Sequence, residues 1–231
     1  MARVLAETPH ARTLELDVAE WPGHRAGQHV DVRLTAEDGY QAERSYSIAS
    51  APEAAALALT VEVIADGEVS PYLGEEVRAG DEFEVRGPIG GHFSWAVGDG
   101  GPLLLVAGGS GLVPLMSMLR HRAAQDSDVE ARLLVSARSQ EDLLYRDELR
   151  ALEPAPGLGI FPTYTRTAPP GWTGWQRRVD APMLAEVDPG PEARCFVCGP
   201  TPFVEGVTQL LVAAGHEHHR IHAERFGPTG G

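Results

Sequence analysis

Arg44-Ser45-Tyr46-Ser47 places one cation, one amphipathic ring and two hydroxyls in four consecutive residues, just before Ile48-Ala49-Ser50-Ala51-Pro52. On an extended chain that combination offers a charge for phosphate, a flat face for stacking and donors for ring heteroatoms, which suits a flavin nucleotide. Further stretches could do related chemistry. In Gly67-Glu68-Val69-Ser70-Pro71, Ser as N-cap and Pro at the first helical position predict a short helix to about Glu75; its free amides would favour an anionic phosphate. Gly108-Gly109-Ser110-Gly111-Leu112-Val113-Pro114 lacks the full spacing of a dinucleotide fingerprint, but its bare glycines would let a pyrophosphate approach the start of a helix. Cys198-Gly199-Pro200 and Glu224-Arg225-Phe226 complete the set.

Two kinds of element must position these residues. From Val4 to about Phe93 the pattern is short and alternating, as in Thr13-Leu14-Glu15-Leu16-Asp17-Val18, His29 to Leu34, Leu57 to Val63 and Glu82 to Arg86. Six or so such strands with little helix predict an antiparallel barrel. Gly98-Asp99-Gly100-Gly101-Pro102 is the best linker, so the domains are drawn as 1–98 and 99–231. Beyond it, Leu103-Leu104-Leu105-Val106-Ala107 is a continuous apolar run of the kind buried on both faces, and it leads through the glycines into a helix from Leu112 to about Ala124. A strand at Arg132–Ser136, a helix around Asp142–Leu152, a strand around Gly159–Thr165, a strand at Arg194–Cys198, a helix from Thr201-Pro202 to Gly215 and a short strand at Arg220–Ala223 continue the alternation. This predicts a doubly wound α/β domain on a parallel sheet, with ligand crevices at the carboxyl ends of its strands.

The chain has 231 residues and a formal net charge of −14, and every basic side chain apart from histidine is Arg. That charge argues against nucleic acid or an anionic membrane as partner and leaves phosphate contacts to Arg, backbone amides and helix ends. The start carries no apolar signal-peptide core and no run is long enough to span a membrane, so a cytoplasmic location is expected. Two cysteines cannot supply a four-cysteine iron-sulfur cluster, so any such centre is expected on a partner. Cys195-x-x-Cys198 could be a redox pair, but Cys195 falls inside an apolar strand, where a cysteine acts as a small hydrophobe. The run His216-Glu217-His218-His219-Arg220-Ile221-His222 is broken by Gly215 and the coming strand, so a solvated loop is expected there and no metal site.

Taken together, these motifs resemble the ferredoxin-NADP reductase superfamily over nearly the whole chain. The resemblance implies that Arg44 meets the FAD pyrophosphate, that Tyr46 stacks on the isoalloxazine, and that Ser45 and Ser47 belong to the same segment, with Ser47 near the ring's hydrogen-bonding edge. Backbone groups of Thr60, Glu62 and Val63 and the turn Glu68-Val69-Ser70 would hold the rest of FAD, although Glu62 is acidic where relatives can carry a cation. Gly109, Ser110 and Gly111 would take the nicotinamide nucleotide, and Cys198, Gly199 and Pro200 would border the hydride-transfer site, with Thr201 capping the next helix or reaching the nucleotide. Phe226 would shield the flavin and Glu224 would carry a proton; the tail Gly227–Gly231 could lie near the adenine. Ser136, Arg138, Thr165 and Arg166 follow the second and third strands of the sheet, and cations with hydroxyls there suit a ribose 2'-phosphate, so NADPH is expected ahead of NADH.

The implied activity is hydride transfer from NADPH to bound FAD, followed by delivery of electrons to a separate redox protein such as ferredoxin or flavodoxin. The competing readings are an NADH-dependent reductase component of a multicomponent oxygenase or other electron-transfer complex, a free flavin reductase, and a non-catalytic nucleotide-binding module.

Overall fold

The computed structural model describes residues 1–36, 38–64 and 66–226, so the tail from 227 onward lies outside the described residues. The first half contains β1 (Arg3–Thr8), β2 (Ala11–Leu16), β3 (His29–Thr35), β4 (Gln41–Ser47), β5 (Leu57–Glu62) and β6 (Glu84–Ile89). They form two three-stranded antiparallel sheets, in the orders β1-β2-β5 and β4-β3-β6. A bridge between Ile48 and Leu59 joins the two sheets, and both close on one core of Leu14, Leu16, Val30, Val32, Ile48, Leu59, Val61 and Leu73. The period-two alternation turns Leu14 and Leu16, Val30 and Val32, and Leu57, Leu59 and Val61 into that core, while the other face of β5 is buried too, with Ala58 and Thr60 against the second half of the chain.

The short helix after Gly67 differs from its expected form. It is a wide-turn segment, Tyr72–Glu76, preceded by Pro71, and no side chain caps it. The Ser70 hydroxyl turns back instead and accepts the backbone N–H of Ile64 at 3.1 Å. A donor left free where β5 runs out therefore claims the hydroxyl that a cap would have used.

The second half is a five-stranded parallel sheet in the order β11-β10-β7-β8-β9. Its strands are β7 (Leu103–Gly108), β8 (Ala131–Ser139), β9 (Leu158–Thr167), β10 (Arg194–Pro200) and β11 (Ile221–Phe226). Its helices are α1 (Leu112–Ala124), α2 (Arg146–Leu152), α3 (Ala181–Val187) and α4 (Thr201–Ala213). Every residue of β7 is buried, as its unbroken apolar run requires, with one core on each face of the sheet. α2 starts four residues later than expected because the chain from Gln140 first makes a turn, ending at Tyr145 with φ of 54°. The sequence pattern missed α3, although its Asp180 side chain accepts the Met183 N–H at 3.0 Å and Pro182 stands in its first turn. Thr201 is the first residue of α4 and its side chain caps nothing. The final strand runs on to Phe226 rather than stopping at Ala223.

The histidine run also differs from a solvated loop: His222 stands on β11 with its ring stacked on that of Phe196, 4.7 Å between centroids, and His216 goes deeper. His216 is buried beneath the end of α4: its Nε2 lies 2.9 Å from Asp188 and its Nδ1 3.5 Å from the Cys195 sulfur. Gly215 turns the chain back so sharply that the next side chain enters the core.

Candidate functional site: the cleft between the two domains

The parallel sheet fixes half of the site through its topology. β7 enters at the centre, the chain winds outward through β8 and β9, then crosses back to place β10 on the other flank of β7. The crevice at such a switch point lies beyond the carboxyl ends of β7 and β10, where Gly108–Gly111 and Cys198–Pro200 sit together. Their contact is very close. A Cβ on Gly111 would fall 2.0 Å from the Cys198 carbonyl oxygen, and one on Gly108 would fall 2.8 Å from the Phe203 ring. Gly199, at φ of +154°, leaves a third stretch of bare backbone. These three glycines let β7, β10 and the start of α1 pack backbone to backbone, and between them Gly109, where a Cβ would meet nothing, leaves the helix start open in the way a pyrophosphate needs. Pro114 lies in the first turn of α1, where its missing N–H leaves no gap.

Ser136 and the exposed Arg138 end β8, and the exposed Thr165 and Arg166 end β9, all on the same carboxyl edge. The Thr165 hydroxyl donates to the Ala137 carbonyl at 3.3 Å, so it tethers the two strand ends.

The other half of the site comes from β4 and its surroundings. Arg44 is exposed; its Nη2 donates to Glu68 Oε2 at 2.7 Å and its Nη1 to the Glu43 carbonyl at 2.7 Å. Tyr40 reaches the other Glu68 oxygen at 2.8 Å, so the Gly67–Ser70 turn is tied to β4 and the residue before it through one carboxylate. Ser45 donates to Asp31 at 2.6 Å, and Arg86 grips the second Asp31 oxygen at 2.6 Å. Burial works against the Asp31 charge, but these two bonds outweigh it and lower its pKa. Tyr46 is half-buried against the core shared by the two antiparallel sheets, which pushes its phenol up to about 12 and keeps it a neutral ring. Ser47 is buried opposite His29 in the β3–β4 ladder. Val69 and Ser70 are buried, Glu62 is exposed, and Val63 donates its N–H to the His10 carbonyl at 2.8 Å. The Thr60 side chain is committed elsewhere: it accepts the Tyr145 hydroxyl at 2.5 Å and lies 2.7 Å from that of Thr13, which donates to Glu7 at 2.7 Å.

The two halves meet at His29 and Glu224. Glu224 pairs in register with Cys198 on β10 and comes within 4.0 Å of His29 Nδ1. Burial pushes the Glu224 carboxyl up to about 7 and lowers the His29 pKa, with Asp31 partly opposing the second shift. Phe226 lies two residues further along the same strand face and packs on the cluster containing Phe93, Phe196 and Cys198. The sequence pattern overlooked His29, because only the register with Ser47 turns one more alternating residue into a site residue. It named Glu68 in the turn, but not as the carboxylate that pairs with Arg44.

Two family models match consecutive parts of the chain: an oxidoreductase FAD-binding domain over residues 9–95 and an oxidoreductase NAD-binding domain over residues 105–209. The chain belongs to the oxidoreductases that these two models describe, has the fold of the ferredoxin-NADP reductase superfamily, and binds FAD and a nicotinamide nucleotide. It is 32% identical over 211 residues to the glycine betaine monooxygenase reductase subunit of Pseudomonas aeruginosa, an alignment covering 89% of this chain and 57% of that protein. The chain thus spans little more than half the length of that relative. Among solved structures, the Amycolatopsis cytochrome P450 reductase GcoB is 28% identical with a TM-score of 0.84, covering 99% of this chain and 69% of that one. The flavohem-like FAD/NAD-binding domain of nitric oxide dioxygenase from Vibrio cholerae is 25% identical with a TM-score of 0.86, covering 98% and 96%. No helix among the described residues is long and apolar enough to cross a membrane.

Proposed function

We propose that the chain takes a hydride from NADPH onto FAD and passes electrons to a separate redox protein, with the transfer occurring where β4 faces the ends of β10 and β11. The observation that carries this reading is the 4.0 Å approach of Glu224 to His29, the ladder partner of Ser47. It brings the strand suited to a flavin and the strand suited to a nicotinamide to one place, as hydride transfer requires.

The cofactors supply the redox chemistry. Arg44 would hold the FAD pyrophosphate, with Glu68 as the partner it gives up or shares; Tyr46 would stack, and Ser45 and Ser47 would stay ordered through Asp31 and the β3 ladder. Thr60 to Val63 and Glu68 to Ser70 would supply backbone groups. The amides of Gly109, Ser110 and Gly111 would take the nucleotide's pyrophosphate, and the bare backbone at Cys198, Gly199 and Pro200 would admit the nicotinamide. Phe226 would exclude water, and Glu224, protonated up to about pH 7, would hold a proton at its carboxyl oxygen. Ser136, Arg138, Thr165 and Arg166 support NADPH over NADH because they offer cations and hydroxyls at the ribose end of the crevice.

The acceptor is proposed as a protein that takes electrons one at a time, a ferredoxin, a flavodoxin or an oxygenase component. The similarity to a monooxygenase reductase subunit and to a P450 reductase favours the oxygenase setting. Anaerobic titration of the FAD-loaded protein with NADPH, and separately with NADH, tests the reading. Bleaching of the flavin bands by NADPH first is the expected result. Preferential bleaching by NADH would remove the 2'-phosphate assignment alone, and a protein that FAD cannot reconstitute would remove the whole reading.

A further inference from the structure

Behind the site, a half-buried arginine reaches both domains. Arg120 sits near the end of α1, the helix that begins at the nucleotide loop, and its side chain is 22% exposed. Its Nε and Nη2 donate side by side to the two oxygens of Glu148, at 2.8 and 2.6 Å. Its Nη1 donates to the Ala49 carbonyl at 2.7 Å, and its guanidinium lies 4.6 Å from the centre of the Tyr145 ring. Burial opposes the charge and the Glu148 contacts overcome it, raising the guanidinium's pKa. One turn earlier on α1, Ser117 donates to the Ser50 carbonyl at 2.6 Å.

Ala49 and Ser50 are the second and third residues after β4 ends at Ser47. The chain leaving the flavin strand is therefore bound by carbonyl oxygens to the helix whose first turn carries Gly109–Gly111. A guanidinium held bidentately by a carboxylate and placed over a ring has little freedom, so its third donor fixes the Ala49 carbonyl in angle as well as distance. His121 and Gln125, both 2.8 Å from Glu53, extend the same contact without touching the strand end.

We propose that Arg120 is a positioning residue for hydride transfer: by holding Ala49 against α1, it sets the distance between the nucleotide loop and the flavin strand. The proposal rests on the reductase reading above and adds a residue remote from the reacting atoms.

The test uses the FAD-loaded protein with Arg120→Ala and Arg120→Lys, under anaerobic rapid mixing with saturating nucleotide. In Arg120→Ala, flavin reduction should slow about tenfold or more while FAD content and nucleotide Kd hold. The long-wavelength charge-transfer absorbance between nicotinamide and flavin should fade, and amides 48–51 should exchange hydrogen faster. Lysine can reach the Ala49 carbonyl without the fork to Glu148, so Arg120→Lys should recover part of the rate. A reduction rate and absorbance within about twofold of the parent would overturn the proposal. So would a slower rate fully accounted for by lost FAD. If Arg120→Ala does not fold, the same criteria apply to Ser117→Ala and Glu148→Gln, and an unchanged rate in both overturns it. A parent that neither nucleotide reduces would defeat the reductase reading. Exchange at 48–51 would then decide the Arg120 contact separately, with unchanged exchange in Arg120→Ala overturning it.

Discussion

On the FAD-binding side of the proposed site the groups assigned to the cofactor are side chains on β4: Arg44 braced by Glu68, Ser45 braced by Asp31, and Tyr46 and Ser47 beside them. On the NAD-binding side the surface assigned to the nucleotide is backbone, packed tightly at Gly108, Gly111 and Gly199 and open at Gly109, where β7 and β10 end. The difference follows from strand geometry. An antiparallel strand with one face free presents alternate side chains, whereas the ends of parallel strands present carbonyls and the amides of the following helix. Substitutions should therefore act differently on the two sides: removing atoms weakens the first, and adding atoms wrecks the second.

The largest effect should come from adding one methyl group. Gly111→Ala places a Cβ 2.0 Å from a backbone oxygen that cannot swing away, and should destabilise the fold by about 3 kcal/mol or more and abolish nucleotide binding. Gly109→Ala meets nothing within 4 Å and bears only its φ of +55°, which costs about 1 kcal/mol. Thermal melts and nucleotide titration of the two variants compare them directly, and equal losses would show that packing is not what the glycines serve.

Next comes removal on the other side. Arg44→Ala deletes a charged donor and should weaken FAD retention by about tenfold or more with little change in melting temperature of the FAD-free protein. Flavin content after gel filtration measures it, and unchanged content would break the side-chain half of the comparison.

Glu224 gives a pH test at the junction. Its pKa is raised from 4.5 to about 7 by burial, so folding favours the neutral carboxyl. That contribution is fully present below the unfolded value and is lost as pH climbs through about 7. Glu224→Gln should remove the corresponding fall in melting temperature between about pH 5 and pH 8, and a profile identical to the parent's would place the titration elsewhere. His29, shifted the other way, adds stability as pH rises, so the comparison must be variant against parent.

The smallest effect is one of preference. Arg166→Ala should lower the NADPH to NADH ratio of kcat/KM by about tenfold through loss of one exposed phosphate contact. An unchanged ratio would remove Arg166 from the nucleotide assignment.

What the sequence made legible was local. The apolar run Leu103–Ala107 could be little other than a strand covered on both faces, and the alternation at Leu57–Glu62 set its inward face without help from a partner. Ser70 misled because a hydroxyl next to a proline suits a cap, and only the fold reveals the unpaired Ile64 amide that takes it. α3 went unread because its seven residues are too few for a period to emerge, although its cap and proline were there. The pairings that join the domains are 71 residues apart for Arg120 and Ala49 and 85 for Tyr145 and Thr60, and no pattern within a window reaches that far.

The two cysteines of β10 have a use that their chemistry in the folded state conceals. Three residues apart, they point to opposite faces of the sheet, each wholly buried in a different core. Burial drives the Cys195 thiol up to about 12 and the Cys198 thiol well above its ordinary value, so neither is an attacking group while the strand is in place. A thiol-reactive dye should therefore label them only through opening events, Cys198 when the cleft side loosens and Cys195 when the far layer does. The labelling rates of Cys195→Ala and Cys198→Ala variants would time the two layers of one sheet coming apart.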